Sequence, residues 1–314
     1  MKSRYLTAFL LYCTIYCLTT AAIQAASLRV LSWNIYMLPM LVSDTHQMAR
    51  ANLIPEHVKG FDVLMFNEAF DDDARQVVRK GISFEYPHQT AILGSDSGLC
   101  QDGGAFIASR YPFAFPPREY VYENSVSFTS DDFADKGVVY ACIKKEGKRY
   151  HLFATHLQAG SGKRAVLCRR RQLFELKLFI NAQRIPGHEP VIIGGDMNVD
   201  AFATPGEEAR MHSLLDATPP KWSGSRATFD PANNKLAEGK VSECLDYVLY
   251  GKKNLQPTQA ECRLYAPRAK LPVFGMNVAM SDHEGVECTL TYPDGVTSKP
   301  SPAKSMLLIG LGVE

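Results

Sequence analysis

VIIGGDMNVD, residues 191–200, is the stretch whose reading decides the fold. A β-branched apolar run meets a double glycine and then an acid, an amide and a second acid. This predicts a buried strand ending in a turn that lifts polar groups out of the core. Asp196 and Asn198 stand two residues apart, so both are expected to point to the same side at the strand's mouth. One fixed carboxylate beside one fixed amide suits a reacting phosphate. The acid can hold a nucleophilic water or a metal's water, and the amide can donate to a phosphoryl oxygen as negative charge builds there. Asp and Asn next to Gly are also ordinary turn formers, so the chemistry needs partners from elsewhere in the chain.

Working outward, the same pattern recurs. SLRVLSWNI (residues 27–35) alternates into a strand that finishes on Asn34. FDVLMFNEAF (61–70) is a continuous apolar run ending in Asn67 and Glu68, as in a strand covered on both faces. Residues 44–60 read as a helix interrupted at Pro55. Asp71, Asp72 and Asp73 suit a second helix's N-terminus, and Gly81 is placed to end it. GGAFIAS (103–109), VVYACI (138–143) and RYHLFATHL (149–157) read as strands, the last two forming a hairpin across KKEGK. Residues 163–182 are helical, with Arg170 and Lys177 interrupting the stripe of Val166, Leu173 and Ile180. Arg169 to Arg171 read as a solvated helix face rather than a phosphate-seeking patch. A short helix at 207–215 and a long polar loop through Asn234 follow. The strand CLDYVLY (244–250) then carries Asp246, and GVECTLTY closes the pattern after Ser281, Asp282 and His283. Many strands and few helices predict a two-sheet sandwich with helices outside.

The ends of the chain carry their own signals. Lys2 and Arg4, an apolar run from Leu6 to Ala22 and small residues near Ala25 have the layout of a secretory signal peptide over residues 1–25. The expectation is a secreted protein with one domain over 26–296 and a loose tail over 297–314. No transmembrane segment is expected in the mature chain. A net charge of +1 with 46% hydrophobic residues describes an ordinary globular protein and argues against a dedicated nucleic-acid binder. No long sheet edge or apolar stripe demands a partner, so a monomer is expected. Six cysteines remain beyond the leader: Cys100, Cys142, Cys168, Cys244, Cys262 and Cys288. They show no CxxC spacing, which argues against zinc, and their pairing cannot be read from spacing. Cys142, Cys244 and Cys288 lie in strand-like runs that suit buried thiols.

Asn34, Glu68, His156, Asp196 with Asn198, Asp246, and Asp282 with His283 each stand at or just beyond an apolar run. Two sheets packed face to face bring them to one rim. Glu68 is a hard oxygen ligand suited to Mg²⁺, with Asn34 adding a neutral oxygen. A histidine held by a carboxylate keeps one tautomer and serves as a base near neutral pH. Phosphodiester hydrolysis needs these parts: a base for water, a cation for the leaving oxygen and donors for the phosphate. Taken singly, each residue has a plainer role, as a helix cap, a core histidine or a turn.

In this order, WN at Trp33, NE at Asn67, THLQA at Thr155, GDMN at Gly195, LDYV at Leu245 and SDH at Ser281 resemble the DNase I-like endonuclease/exonuclease/phosphatase superfamily. DGGAFIASRYP (102–112), THLQA and the Asp-Lys-Gly at Asp135 make the chain similar to its secreted neutral sphingomyelinases, phosphodiesterases of phospholipase C type. The resemblance implies a four-layered DNase I-like α/β sandwich, two mostly antiparallel β-sheets flanked by helices. It implies Mg²⁺-dependent hydrolysis of sphingomyelin, or a related phospholipid at a membrane surface, to ceramide and phosphocholine, with Mn²⁺ or Co²⁺ as substitutes. By the same resemblance Glu68 is the principal metal ligand, assisted by Asn34 and supported by Asp282. His283 is the general base, oriented by Asp246, and Asp196 positions the attacking water. Asn198 and His156 contact the phosphate, which Lys136 approaches. A secreted nuclease or an inositol-phosphate phosphatase on the same scaffold is the alternative, and a binding subunit with a decayed site the third. Haemolytic relatives carry a tryptophan-bearing hairpin. Here the matching stretch, LYAPRAKLPVFGMNVAM (264–280), has Leu271, Val273, Phe274 and Met276 but no Trp, which implies a modest lipid-facing edge and weak lysis.

Overall fold

A computed structural model describes residues 26–39, 42–95, 101–126, 134–270 and 277–294. The leader, Cys100, the 297–314 tail and the apolar residues at 271–276 lie outside them. Fifteen strands and four helices are described. They run β1 (Ala26–Met37), α1 (Gln47–His57), β2 (Val63–Ala69), α2 (Asp72–Ile82), β3 (His88–Gln89), β4 (Phe106–Ser109), β5 (Arg118–Val121), β6 (Gly137–Lys145) and β7 (Lys148–His156). Then come α3 (Lys163–Ala182), β8 (Val191–Asp196), α4 (Pro205–Leu215), β9 (Ala217–Thr218), β10 (Lys221–Ser223), β11 (Asp246–Gly251), β12 (Gln259–Tyr265), β13 (Arg268–Lys270), β14 (Asn277–Ala279) and β15 (Gly285–Tyr292).

Seven strands form one sheet in the order β10-β12-β15-β1-β2-β4-β3, and six form another in the order β5-β6-β7-β8-β11-β9. Side-chain alternation then sets the layers. Val63 and Met65 of β2 enter the core between the sheets, where they meet Leu152, Ile192 and Val286. Leu64 and Phe66, one residue out of phase, face α1 and α2 with Ile54 and Val78. On the other sheet Val138, Tyr140 and Cys142 face α3 and α4, with Leu173, Leu176 and Met211. The result is the expected helix–sheet–sheet–helix stack. Most pairings are antiparallel, and the two central ones, β1 with β2 and β7 with β8, are parallel.

Several local expectations are corrected. The double glycine is no turn: β8 runs through it to Asp196. Gly194 lets the sheets close, because a Cβ there would stand 2.7 Å from the Met65 sulfur on the facing sheet. Gly195 holds φ 142, and any Cβ would fall on the Thr155 carbonyl oxygen of β7. Pro55 lies inside the last turn of α1 rather than breaking it, and Gly81 lies inside α2 rather than ending it. A side chain at Gly81 would strike the Pro55 ring, so that glycine is where the two helices touch. Arg169 is buried, not solvated, and donates to the carbonyls of Gln158 and Gly160 in the loop after His156. Arg170 pairs with Glu207 on α4. Cys288 is not a thiol but is bridged to Cys262 across β12 and β15, whereas Cys142, Cys168 and Cys244 are buried thiols.

Gly195→Ala is expected to lower unfolding stability by about 2–4 kcal/mol, the cost of a forced backbone shift in a packed sheet. Gly206→Ala, in open space on α4, should be neutral or stabilising by about 0.5–1 kcal/mol. Urea unfolding of the two variants against the parent checks the pair.

Candidate active site

The strand registers assemble the site. In one sheet Asp196 closes β8 opposite His156 on β7 and opposite Asp246 on β11. In the other, Asn34 on β1 stands opposite Asn67 on β2, with Glu68 next to it. Ser281, Asp282 and His283 enter just before β15, which pairs with β1. The indole N–H of Trp33 donates to the His283 carbonyl at 3.0 Å and fixes that segment over β1.

Asp196 is the meeting point. One carboxylate oxygen accepts the Asn34 amide at 3.1 Å across the gap between sheets. The same oxygen lies 3.6 Å from His156 Nε2 and 3.8 Å from His283 Nε2. Its other oxygen accepts the Asn198 backbone N–H at 2.9 Å, and Asn67 Oδ1 accepts the Asp196 N–H at 3.1 Å. His283 Nδ1 sits 2.7 Å from Asp246 Oδ2, which leaves Nε2 turned to the rim. Phe229 meets the imidazole edge-on at 5.3 Å. Lys136, expected to approach the phosphate, is buried with Nζ 2.9 Å from His156 Nε2. Asn198 spends one amide hydrogen on the Leu157 carbonyl. Glu68 and Asn198 hold left-handed backbone, φ 55 and 49, a strained state of the kind that collects at functional sites.

The ligand atoms of Glu68, His156 and Asp196 lie within 4.8 Å of one another, as do those of Asp196, Asp246 and His283. Asp282 belongs to neither group. Its carboxylate lies 3.2 Å from Ser281 Oγ. The donor set is carboxylate, amide and imidazole without sulfur, which fits a hard divalent cation. Glu68 is the carboxylate of the cluster with an open face, its side chain 17% exposed. Asp246 Oδ1 is buried without a hydrogen-bond partner, so the cluster's negative charge is only partly compensated.

Some site residues gave no readable signal. Thr228, within the polar loop, accepts the backbone N–H of both Leu245 and Asp246 through its hydroxyl and so holds the carboxylate that holds His283. Asn67, named as the end of an apolar run and in a motif but given no role, ties the two sheets: its amide N–H reaches the Thr155 carbonyl at 3.2 Å.

Burial, with Asp246 adding to it, pushes Asp196 up to about 6. Burial, opposed by His283 and reinforced by Glu68, pushes Asp282 up to about 7. Burial raises Glu68 against the pull of Lys136 and His283. For His283 burial works downward, yet Asp246, Asp282 and Asp196 together hold it well above the ordinary imidazole value. Burial and then Lys136 keep His156 well below it, a neutral ring. Glu68, Asp196, Asp282 and His283 thus bind protons more tightly folded than unfolded. Their contribution to stability is complete below about pH 4 and is lost as pH rises through the folded values. His156 works in the opposite sense. A divalent cation takes the place of the released protons, so its own stabilising effect must grow with pH. The increase in melting temperature on adding Mg²⁺ is expected to be larger at pH 8 than at pH 5, and equal increments by scanning fluorimetry would contradict this coupling.

Comparison with known proteins agrees with this geometry. Residues 31–283 match the Endonuclease/Exonuclease/phosphatase family. The chain is 34% identical over 274 residues to sphingomyelinase C of Bacillus cereus, covering 78% of this chain and 81% of that one. It is 35% identical over 287 residues to phospholipase C of Staphylococcus aureus, covering 82% and 85%. Among solved structures, beta toxin of Staphylococcus aureus superposes with a TM-score of 0.76 at 32% identity over 83% of this chain and 99% of that one. A variant of that toxin was solved with bound magnesium ions, TM-score 0.75 at 31% identity over 84% and 99%. The chain belongs to the endonuclease/exonuclease/phosphatase family and, within it, to the sphingomyelinase C group.

Proposed function

We propose that this protein is a secreted, Mg²⁺-dependent sphingomyelin phosphodiesterase that releases phosphocholine and leaves ceramide in the membrane. The observation that carries the reading is the buried Asp246–His283 pair at 2.7 Å, opening on a rim of hard donors. Asp246 accepts the Nδ1 proton and so fixes the tautomer, and Nε2, once it has given up its own proton to solvent, takes one from the attacking water. Asp196, within 3.8 Å of that nitrogen, orients the same water. As the water oxygen bonds to phosphorus, the bond to the ceramide oxygen breaks, and the proton that His283 took from water passes, through solvent, to that leaving oxygen. Glu68 and Asn34, with Asp282 in support, are the residues to hold the cation, which when bound offsets charge on the leaving oxygen. Lys136 and neutral His156 face the phosphate as donors, and Asn198 keeps one amide hydrogen free of Leu157 for it.

The same reading gives a leader over 1–25, a catalytic domain over 26–296 and a monomer that holds no nucleic acid stably, with Mn²⁺ or Co²⁺ able to replace Mg²⁺. The stretch 264–280, whose sequence carries Leu271, Val273, Phe274 and Met276, is the part to meet the lipid surface.

Release of phosphocholine from sphingomyelin and from phosphatidylcholine in mixed micelles tests the reading. Release from sphingomyelin should vanish with chelator and fall by about 10²–10⁴-fold in His283→Ala, the usual worth of a general base. No release from either lipid, together with DNA nicking or phosphate release from inositol phosphates, would overturn the substrate.

A further inference from the structure

Arg50 on α1 is fully buried, and no carboxylate lies within ion-pairing distance of it among the described residues. A lone buried guanidinium is costly unless every N–H finds an acceptor. Here all five do. Nη1 donates to the Ile35 carbonyl at 2.8 Å and the Met280 carbonyl at 3.0 Å. Nη2 donates to the Tyr36 carbonyl and, at 2.7 Å, to Thr45 Oγ1. Nε donates to the Thr45 carbonyl at 2.9 Å.

Two of these acceptors are successive carbonyls, which an ordinary strand would turn to opposite sides. They face one way because β1 carries a bulge. Asn34 stands opposite Asn67 and Met37 opposite Ala69, so three steps on β1 match two on β2. Tyr36 at the bulge holds φ 50, and its N–H returns to Asn34 Oδ1 at 3.1 Å. Bulges re-aim side chains, and this one aims Asn34. The third strand-end acceptor, Met280, directly precedes Ser281, Asp282 and His283. Ser281 Oγ in turn donates to the Asn34 carbonyl at 2.7 Å.

We infer that Arg50 is a positioning residue for the cation site. Its fork locks the bulge that aims Asn34 to the segment that carries Asp282, and so sets the spacing of the donors around Glu68. This rests on the functional reading above. A lysine keeps the charge but brings three donors on a flexible stem and cannot hold both segments in plane.

The test compares Arg50→Lys and Thr45→Val with the parent enzyme by calorimetric titration with MgCl₂ alone and by phosphocholine release across a Mg²⁺ series. Arg50→Lys should raise both the Mg²⁺ dissociation constant and the half-saturating Mg²⁺ by about 10–100-fold, as loss of an outer support does. Turnover at saturating Mg²⁺ should return close to the parent's. Thr45→Val, which removes one acceptor and touches nothing in the cluster, should shift both by about 2–10-fold and carries the comparison if the arginine variant does not fold. A lower melting temperature with unchanged Mg²⁺ affinity in both variants would reduce Arg50 to a structural role and overturn the inference. A parent enzyme that releases phosphocholine without binding Mg²⁺ would overturn it as well. A parent that binds Mg²⁺ but releases nothing would instead strike the substrate reading, and the titration would still decide on Arg50.

Discussion

The two sheets meet at their rim through two asparagine side chains, and the site exists because of that contact. Asn67 receives the Asp196 N–H and gives its own amide to the Thr155 carbonyl, while Asn34 gives its amide to the Asp196 carboxylate. Amides suit this duty because each offers a donor and an acceptor without adding charge to a crowded acidic cluster. The reach is short, so the sheets must come close. Gly194 permits it by presenting no side chain to Met65 and Ser32. A packed interior transmits such a contact rigidly, which makes the spacing between Glu68 on one sheet and Asp196 on the other a property of the whole core.

Much of this was legible in the residues, and the reason is topological. Asn34, Glu68, His156 and Asp196 advertise themselves because each is where an apolar run stops at a polar residue, although β1 runs on to Met37 and β2 to Ala69. Parallel pairing then puts the ends of neighbouring strands at one edge of a sheet, as it does for His156 with Asp196 and for Asn34 with Asn67. The misread features depend on contacts remote in sequence. Pro55 and Gly81 each look like a helix breaker until the two helices are laid against each other. Arg50 drew no reading at all, because its acceptors at Ile35 and Met280 are backbone atoms that no side-chain pattern reveals. Thr228 is likewise silent, a hydroxyl in a long loop whose worth lies in two N–H groups of a distant strand.

Charge balance follows from the same packing. Glu68, Asp196, Asp246 and Asp282 converge where, among the described residues, Lys136, His283 and the caged Arg50 supply positive charge. The fold holds this repulsion in place through hydrogen bonds to neutral groups: Asn34, Asn67, Ser281 and the Thr228 hydroxyl. Protons or a divalent cation complete the balance, and the cation does so without occupying the base's lone pair.

The Trp33–His283 hydrogen bond joins residues 250 apart, and the strand that follows His283 pairs with the strand that opens the described fold. Contacts of such separation form late, since the whole intervening chain must be ordered before their closure is rewarded. The site is complete only with β15 docked on β1, because the segment that carries Asp282 and His283 leads directly into that strand. A chain with that strand undocked has Glu68, Asp196, Asp246 and the two amides but not the base that would put them to use, so competence depends on the closure of the final strand.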